Sequence, residues 1–164
     1  MFMRKVVFLD RDGVINDDTG HYYIYKPDDF VFNKGLIESL QTLKLHGFEF
    51  VVISNQGGIS RGTYTKDDVE KIHVKMIREL KLNNIQLLAV YYCPHHDKIE
   101  KCLCRKPNSL MIEKAMARFQ IDPKLSYLIG DNSKDVEAAH KAGIKGIKID
   151  TNQSILTVLD QIIK

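Results

Sequence analysis

Short apolar runs alternate with longer amphipathic stretches along this chain. Four runs are rich in branched or aromatic residues and end in polar or glycine-containing loops: KVVFLD (5–10), FEFVVISN (48–55), LLAVYYC (87–93) and SYLIGD (126–131). A weaker fifth is GIKID (146–150). Their apolarity is continuous rather than alternating, which predicts strands covered on both faces. Between them the spacing predicts helices over 35–47, 65–82, 109–121 and 133–144. The first carries Leu36, Leu40 and Leu43 on one stripe with Gly47 as its stop, and the second opens on Thr65 as N-cap. Strand alternating with helix is the pattern of a parallel α/β sheet with right-handed crossovers.

Composition leaves that picture intact. The 164 residues are 44% hydrophobic and 27% charged, as expected of a single domain over 1–164 with one core. Net charge is +3, and the basic residues stand singly or in pairs, without the dense stripe that nucleic-acid binding requires. The apolar stretch Val6–Leu9 is too short for a signal-peptide core, and no run approaches the roughly 18 apolar residues of a membrane span. The expectation is a cytoplasmic monomer with no nucleic-acid or membrane partner.

Parallel sheets gather ligands at the carboxyl ends of their strands. The residues there are Asp10, Ser54 with Asn55, Cys93 and Asp131. The first strand ends in FLDRDGVIN, with Asp10 and Asp12 two apart and Gly13 to turn the chain. Alone, such a D-x-D-G is what many loops after a strand contain. The fourth strand ends in LIGDNSKDVEAA, setting Asp131 at its exit and Asp135 one helical turn on. Carboxylates converging from two strand ends call for a cation, and oxygen donors alone at a half-open site suit Mg²⁺. Ser54 and Lys106 add a hydroxyl and an ammonium. The set then holds what phosphoryl transfer needs: a nucleophile, an acid/base group and cations to spread developing charge.

All three cysteines lie in CPHHDKIEKCLC (93–104), spaced Cys93-x-His95-x6-Cys102-x-Cys104. A disulfide would leave one thiol over and needs an oxidising compartment for which the chain carries no signal. Three thiolates and an imidazole make a tetrahedral Cys₃His set, which favours a structural Zn²⁺ over a buried or redox cluster. His95 and His96 are both open as the fourth ligand. A metal in this loop would brace Arg105 and Lys106 without doing chemistry itself.

Taken in order, Asp10-x-Asp12-Gly, Ser54, Lys106 and Asp131 resemble the four motifs of the haloacid dehalogenase superfamily of phosphatases, over nearly the whole chain. The resemblance implies a three-layer α/β/α Rossmann-like fold with a minimal cap and a zinc loop, and a Mg²⁺-dependent phosphomonoesterase. It implies Asp10 as the nucleophile forming an aspartyl-phosphate and Asp12 as general acid and then base. Ser54 and Lys106 would hold phosphoryl oxygens, and Mg²⁺ would sit on Asp10, the Asp12 carbonyl and Asp131, with Asp135 close by.

CPHH (93–96) and SNQGGISRG (54–62) further resemble the heptose bisphosphate phosphatases. That likeness implies His95 as the zinc ligand and substrate contacts from Asp18, Thr19, Gly20, His21, Asn55, Gln56, Gly57 and Arg105. The implied substrate is a small phosphorylated metabolite, D-glycero-D-manno-heptose 1,7-bisphosphate, losing its 7-phosphate. Asn132 stands where that family commonly has Lys, and Gly57 where Ser is frequent, which keeps histidinol phosphate as the alternative substrate. A signalling receiver domain fits poorly, because the third strand ends in Tyr92-Cys93 rather than an acceptor Asp. A zinc-stabilised binding module would keep the metal loop but has no use for an intact acidic set. His46, His73 and His140 fall within helical patterns and are expected on the surface or with satisfied partners.

Overall fold

The computed structural model describes residues 3–163. Five strands, β1 (Val6–Leu9), β2 (Glu49–Asn55), β3 (Leu87–Cys93), β4 (Tyr127–Gly130) and β5 (Lys145–Lys148), form one parallel sheet in the order β3-β2-β1-β4-β5. Helices α1 (Leu36–Leu45), α2 (Lys66–Leu82), α3 (Leu110–Phe119) and α4 (Ser133–Lys141) supply the crossovers. β1 lies at the centre, and its alternating side chains feed both faces. Val7 and Leu9 join Leu36, Leu40, Leu43, Ile72, Met76 and Leu80 of α1 and α2. Val6 and Phe8 join Met111, Ile112, Ala115, Ala138 and Ala139 of α3 and α4. The result is the expected three-layer α/β/α arrangement.

The helix boundaries follow local chemistry. Thr65 accepts from the Asp68 amide while Asp68 accepts from the Thr65 amide, a reciprocal cap that opens α2. Asn132 and Asp135 cap α4 in the same way. α1 stops before Gly47, whose φ of 79° suits glycine. α4 ends at Lys141, three residues short of the predicted limit, because Gly143 turns left-handed at φ 75°. Among the described residues no helix is long and apolar enough to cross a membrane.

Strand order places the site. β1, β2 and β3 are laid down in one direction across the sheet, and β4 and β5 continue from β1 in the other. The loops leaving β1 and β4 therefore diverge and open a crevice at their carboxyl ends.

Two expectations are corrected. β3 is an edge strand in which every residue before Cys93 is half-buried, so its apolar run is not covered on both faces as the sequence pattern predicts. His73 is neither on the surface nor satisfied: it is 3% exposed, its ring lies edge-on to Tyr92 at 5.4 Å, and among the described residues Nε2 has no hydrogen-bond partner. Burial lowers its pKa from 6.5 to about 4. An imidazole kept neutral on folding binds fewer protons than in the unfolded chain. Its contribution is therefore present above pH 6.5 and lost as pH falls toward 4. His73→Phe keeps the ring packing and should remove roughly 3 kcal/mol of the stability lost across that window. Urea unfolding of both proteins between the two pH values measures it, and equal pH slopes would contradict it.

Candidate active site

Lys106 is the hub of the crevice. It is 3% exposed, and its ammonium donates to Asp10 Oδ1 at 2.8 Å, pairs with Asp135 Oδ1 at 2.6 Å, and donates to the Ile53 carbonyl at 3.1 Å. Those partners come from the loop after β1, the first turn of α4 and the end of β2. Asn55 aligns the lysine from behind, donating to the Lys106 carbonyl and accepting from the Lys106 amide, both at 3.0 Å.

Asp10, Asp131 and Asp135 each bring a carboxylate oxygen within 4.8 Å of the others. Asp131 accepts from the Thr151 hydroxyl at 2.7 Å. Burial, opposed by Lys106 and reinforced by Asp135, pushes Asp10 up from 3.8 to about 7. Asp131 is raised by burial first, against the Thr151 hydroxyl and with repulsion from Asp135 and Asp18. Burial disfavours the charge on Lys106, yet Asp10 and Asp135 hold its pKa above the ordinary range. One ammonium thus faces three carboxylates. An oxygen-binding cation fits that deficit of positive charge.

Close approach depends on two glycines. A Cβ at Gly13, where φ is 80°, would lie 2.4 Å from Asp131 Oδ2, and one at Gly130 would lie 2.2 Å from the Asp135 Cβ. Asp12 accepts from Arg11, from Asn16 Nδ2 at 3.0 Å and from Gln56 Nε2 at 3.0 Å. Ser54 is 1% exposed, with Oγ 2.7 Å from Gln56 Nε2. Asp10, Asp12, Ser54, Lys106, Asp131 and Asp135 line one cavity of about 200 Å³, together with Asn55, Arg105, Asn132 and Lys134. A second cavity of about 280 Å³ adjoins it and shares Arg105, Lys106 and Lys134.

The metal loop follows β3. Cys93, His95, Cys102 and Cys104 place their donor atoms within 4.8 Å of one another. His95 Nδ1 is 3.4 Å from Cys93 Sγ and 3.2 Å from Cys104 Sγ. The 2.8 Å between Cys93 and Cys104 Sγ exceeds the roughly 2.05 Å of a disulfide. Zn–S bonds of about 2.3 Å set sulfurs about 3.8 Å apart, close to the 3.6 Å of the Cys93–Cys102 pair and wider than the 2.8 Å of Cys93–Cys104. Burial pushes the Cys93 thiol up, so a cation among the sulfurs is what would hold them as thiolates. His96 stands apart, its Nδ1 accepting from the Lys98 amide at 3.2 Å. The donor set is thus Cys₃His with His95, and it fits zinc.

The other expected contacts are distributed differently. Asn55 and Gln56 spend their amides on Lys106, Asp12, Ser54 and Tyr64 rather than on open space. Asp18 and Thr19 are tied to Asn152, whose amide reaches the Gly13 carbonyl at 2.8 Å. Thr19 and His21 line a separate cavity with Asp17, Asp28, Asp29 and Val31, and Gly20 is exposed beside them. Gly57 lies against Arg105 and His96. Arg11, Tyr64, Thr151 and Asn152 contact these candidate residues and were missed by sequence reasoning. Applying the strand-end rule to the weak fifth strand points at Thr151 and Asn152, and Arg11 stands inside the D-x-D motif itself.

Comparison with known proteins agrees with this geometry. A family model described as HAD-hydrolase-like matches residues 103–160. The D-glycero-beta-D-manno-heptose-1,7-bisphosphate 7-phosphatase of Haemophilus influenzae is 39% identical over 160 residues, covering 94% of this chain and 83% of the relative. The D-glycero-alpha-D-manno-heptose-1,7-bisphosphate 7-phosphatase of Photorhabdus laumondii is 37% identical over 146 residues, covering 85% and 79%. The crystal structure of D,D-heptose 1,7-bisphosphate phosphatase from B. bronchiseptica, complexed with magnesium and phosphate, aligns with a TM-score of 0.82 at 29% identity, over 96% of this chain and 86% of that one. Identity at this level across most of both chains makes this protein a phosphatase that belongs to the heptose bisphosphate phosphatase family of the haloacid dehalogenase (HAD) hydrolases.

Proposed function

We propose that the chain removes the 7-phosphate of D-glycero-D-manno-heptose 1,7-bisphosphate through an aspartyl-phosphate on Asp10. The observation that carries this reading is the Lys106 ammonium 2.8 Å from Asp10 Oδ1 within a cluster of three carboxylates at the strand ends. Lys106 occupies Oδ1, and among the described residues no side chain donates to Oδ2, which leaves an oxygen for attack. Asp10 forms the bond to phosphorus as the ester P–O bond breaks, and the departing sugar oxygen takes a proton from Asp12. Water then attacks the aspartyl-phosphate and passes its proton to Asp12. Inorganic phosphate leaves, and the Asp10 carboxylate is restored.

Ser54 accepts from Gln56, so its own proton is free for a phosphoryl oxygen. Lys106 answers the charge that develops on the same group. Asp10, the Asp12 main-chain carbonyl and Asp131 would hold Mg²⁺, which when bound draws charge from the phosphoryl group and orients it. Arg105 and Lys134 line both the catalytic cavity and its neighbour, and cations beyond the reacting centre suit a sugar carrying a second phosphate. Zn²⁺ on Cys93, His95, Cys102 and Cys104 would fix the loop that delivers Arg105 and Lys106.

Purified protein with Mg²⁺ should release phosphate from the heptose bisphosphate with a higher kcat/KM than from histidinol phosphate, and the reverse order would reassign the substrate. Asp10→Asn should lower turnover by about 10³-fold or more. A variant that keeps its rate removes Asp10 from the nucleophile's role. Elemental analysis should find one zinc per chain. Chelating it should lower both Tm and activity, and added Mg²⁺ alone should restore neither. An active, fully stable zinc-free protein would remove the brace.

A further inference from the structure

Asp12 has no contact with Lys106 and draws its donors from elsewhere. Arg11 is fully buried and reaches Oδ1 through Nε at 3.1 Å and Nη2 at 2.9 Å, with Nη2 also 3.0 Å from Oδ2. Asn16 adds a third donor to Oδ1 at 3.0 Å. Oδ2 is the less crowded oxygen, and beyond the shared Arg11 nitrogen it receives Gln56 Nε2 at 3.0 Å. Oδ2 is therefore the atom with room to exchange a proton.

What Gln56 presents to Oδ2 depends on which way its amide is turned. The side chain is 1% exposed, and Nε2 also lies 2.7 Å from Ser54 Oγ. Its Oε1 accepts from the Tyr64 hydroxyl at 2.7 Å. The ionised Asp12 carboxylate only accepts, so it selects the turn that brings the NH₂ toward it, and the Tyr64 phenol, donating to Oε1, holds the amide in that turn. Turned the other way, the amide oxygen would face the ionised form of Asp12 with no proton between them. Tyr64 itself cannot drift. It is 5% exposed, its ring stacks on Tyr25 at 5.3 Å, and it fills the space above Gly58, where a Cβ would lie 2.1 Å from the ring.

We propose that Tyr64 is a positioning residue for the reaction: its hydroxyl locks the Gln56 amide, which with Arg11 fixes the Asp12 oxygen that gives its proton to the leaving group. The inference rests on the reading of Asp12 as acid and base given above. It carries a signature that a purely structural role lacks. An alkoxide leaving from a sugar needs that proton, whereas p-nitrophenolate leaves without one. The constant kcat/KM reports the steps through transfer of phosphate to Asp10, before water enters.

Tyr64→Phe removes one oxygen and keeps the packing. It should lower kcat/KM for the heptose bisphosphate by about tenfold and for p-nitrophenyl phosphate by less than about twofold. Asp12→Asn should show the same selectivity at about 10²-fold or more. Gln56→Met should reproduce the selective loss, and adding Tyr64→Phe to it should cost nothing further, because the hydroxyl acts through Gln56. If Tyr64→Phe loses equally on both esters, or loses nothing, while Asp12→Asn remains selective, the relay is overturned and the role of Asp12 stands. If Asp12→Asn itself loses equally on both, the acid role fails, and Tyr64 has nothing to position. Additive losses in the double variant also overturn the relay.

Discussion

The ammonium of Lys106 has three protons and three acceptors: Asp10, Asp135 and the Ile53 carbonyl. A charge buried to 3% exposure is sustained only when it is paired and fully hydrogen-bonded. Here the pairing also joins the exits of β1 and β2 to the first turn of α4. Removing the ammonium would leave two carboxylates facing each other in the crevice. The crevice is therefore held in shape by a single buried charge.

That arrangement has a consequence for metal binding. Lys106 balances Asp10 and Asp135, while among the described residues Asp131 has only the Thr151 hydroxyl as donor, and burial raises it. The fold creates this excess of negative charge by bringing the exits of β1 and β4 together at the point where strand order reverses. Gly13 and Gly130 permit the approach by presenting no side chain to Asp131 and Asp135. Packing thus prepares an anionic pocket whose oxygen donors suit a divalent cation.

Strand and helix positions were legible because apolar periodicity is local, and the capping pairs Thr65–Asp68 and Asn132–Asp135 lie three residues apart. The residues gathered at the strand ends were legible through the topology rule, and their order through family resemblance. Contacts made across the fold were not. Asn152 reaches Asp18 across 134 residues, Lys106 meets Asn55 across 51, and Gln56 meets Asp12 across 44. Side-chain type announced Asn55 and Gln56 as polar groups near a site, but only tertiary packing turns their amides inward. The half-exposed face of β3 escaped for a related reason. Its LLAVYYC run is as apolar as those of central strands, and edge position is a property of the sheet rather than of the run.

The metal loop and the catalytic cavity meet at Arg105. Its Nη1 donates to the carbonyl of His95 at 2.9 Å, so the residue that contributes the imidazole to the cysteine cluster also anchors the guanidinium through its backbone. Gly57 faces the same point. A Cβ there would lie 3.0 Å from Arg105 Nη1 and 3.1 Å from the His95 oxygen, tight enough to push one away from the other. A glycine at this position is thus matched to this placement of Arg105. Asn132 lines the cavity beside Lys134 from the first turn of α4, so this wall carries an ammonium. Arg105 and Lys134 thus give the cavity its outer positive charge, the first held by the His95 backbone and the second by its place in α4.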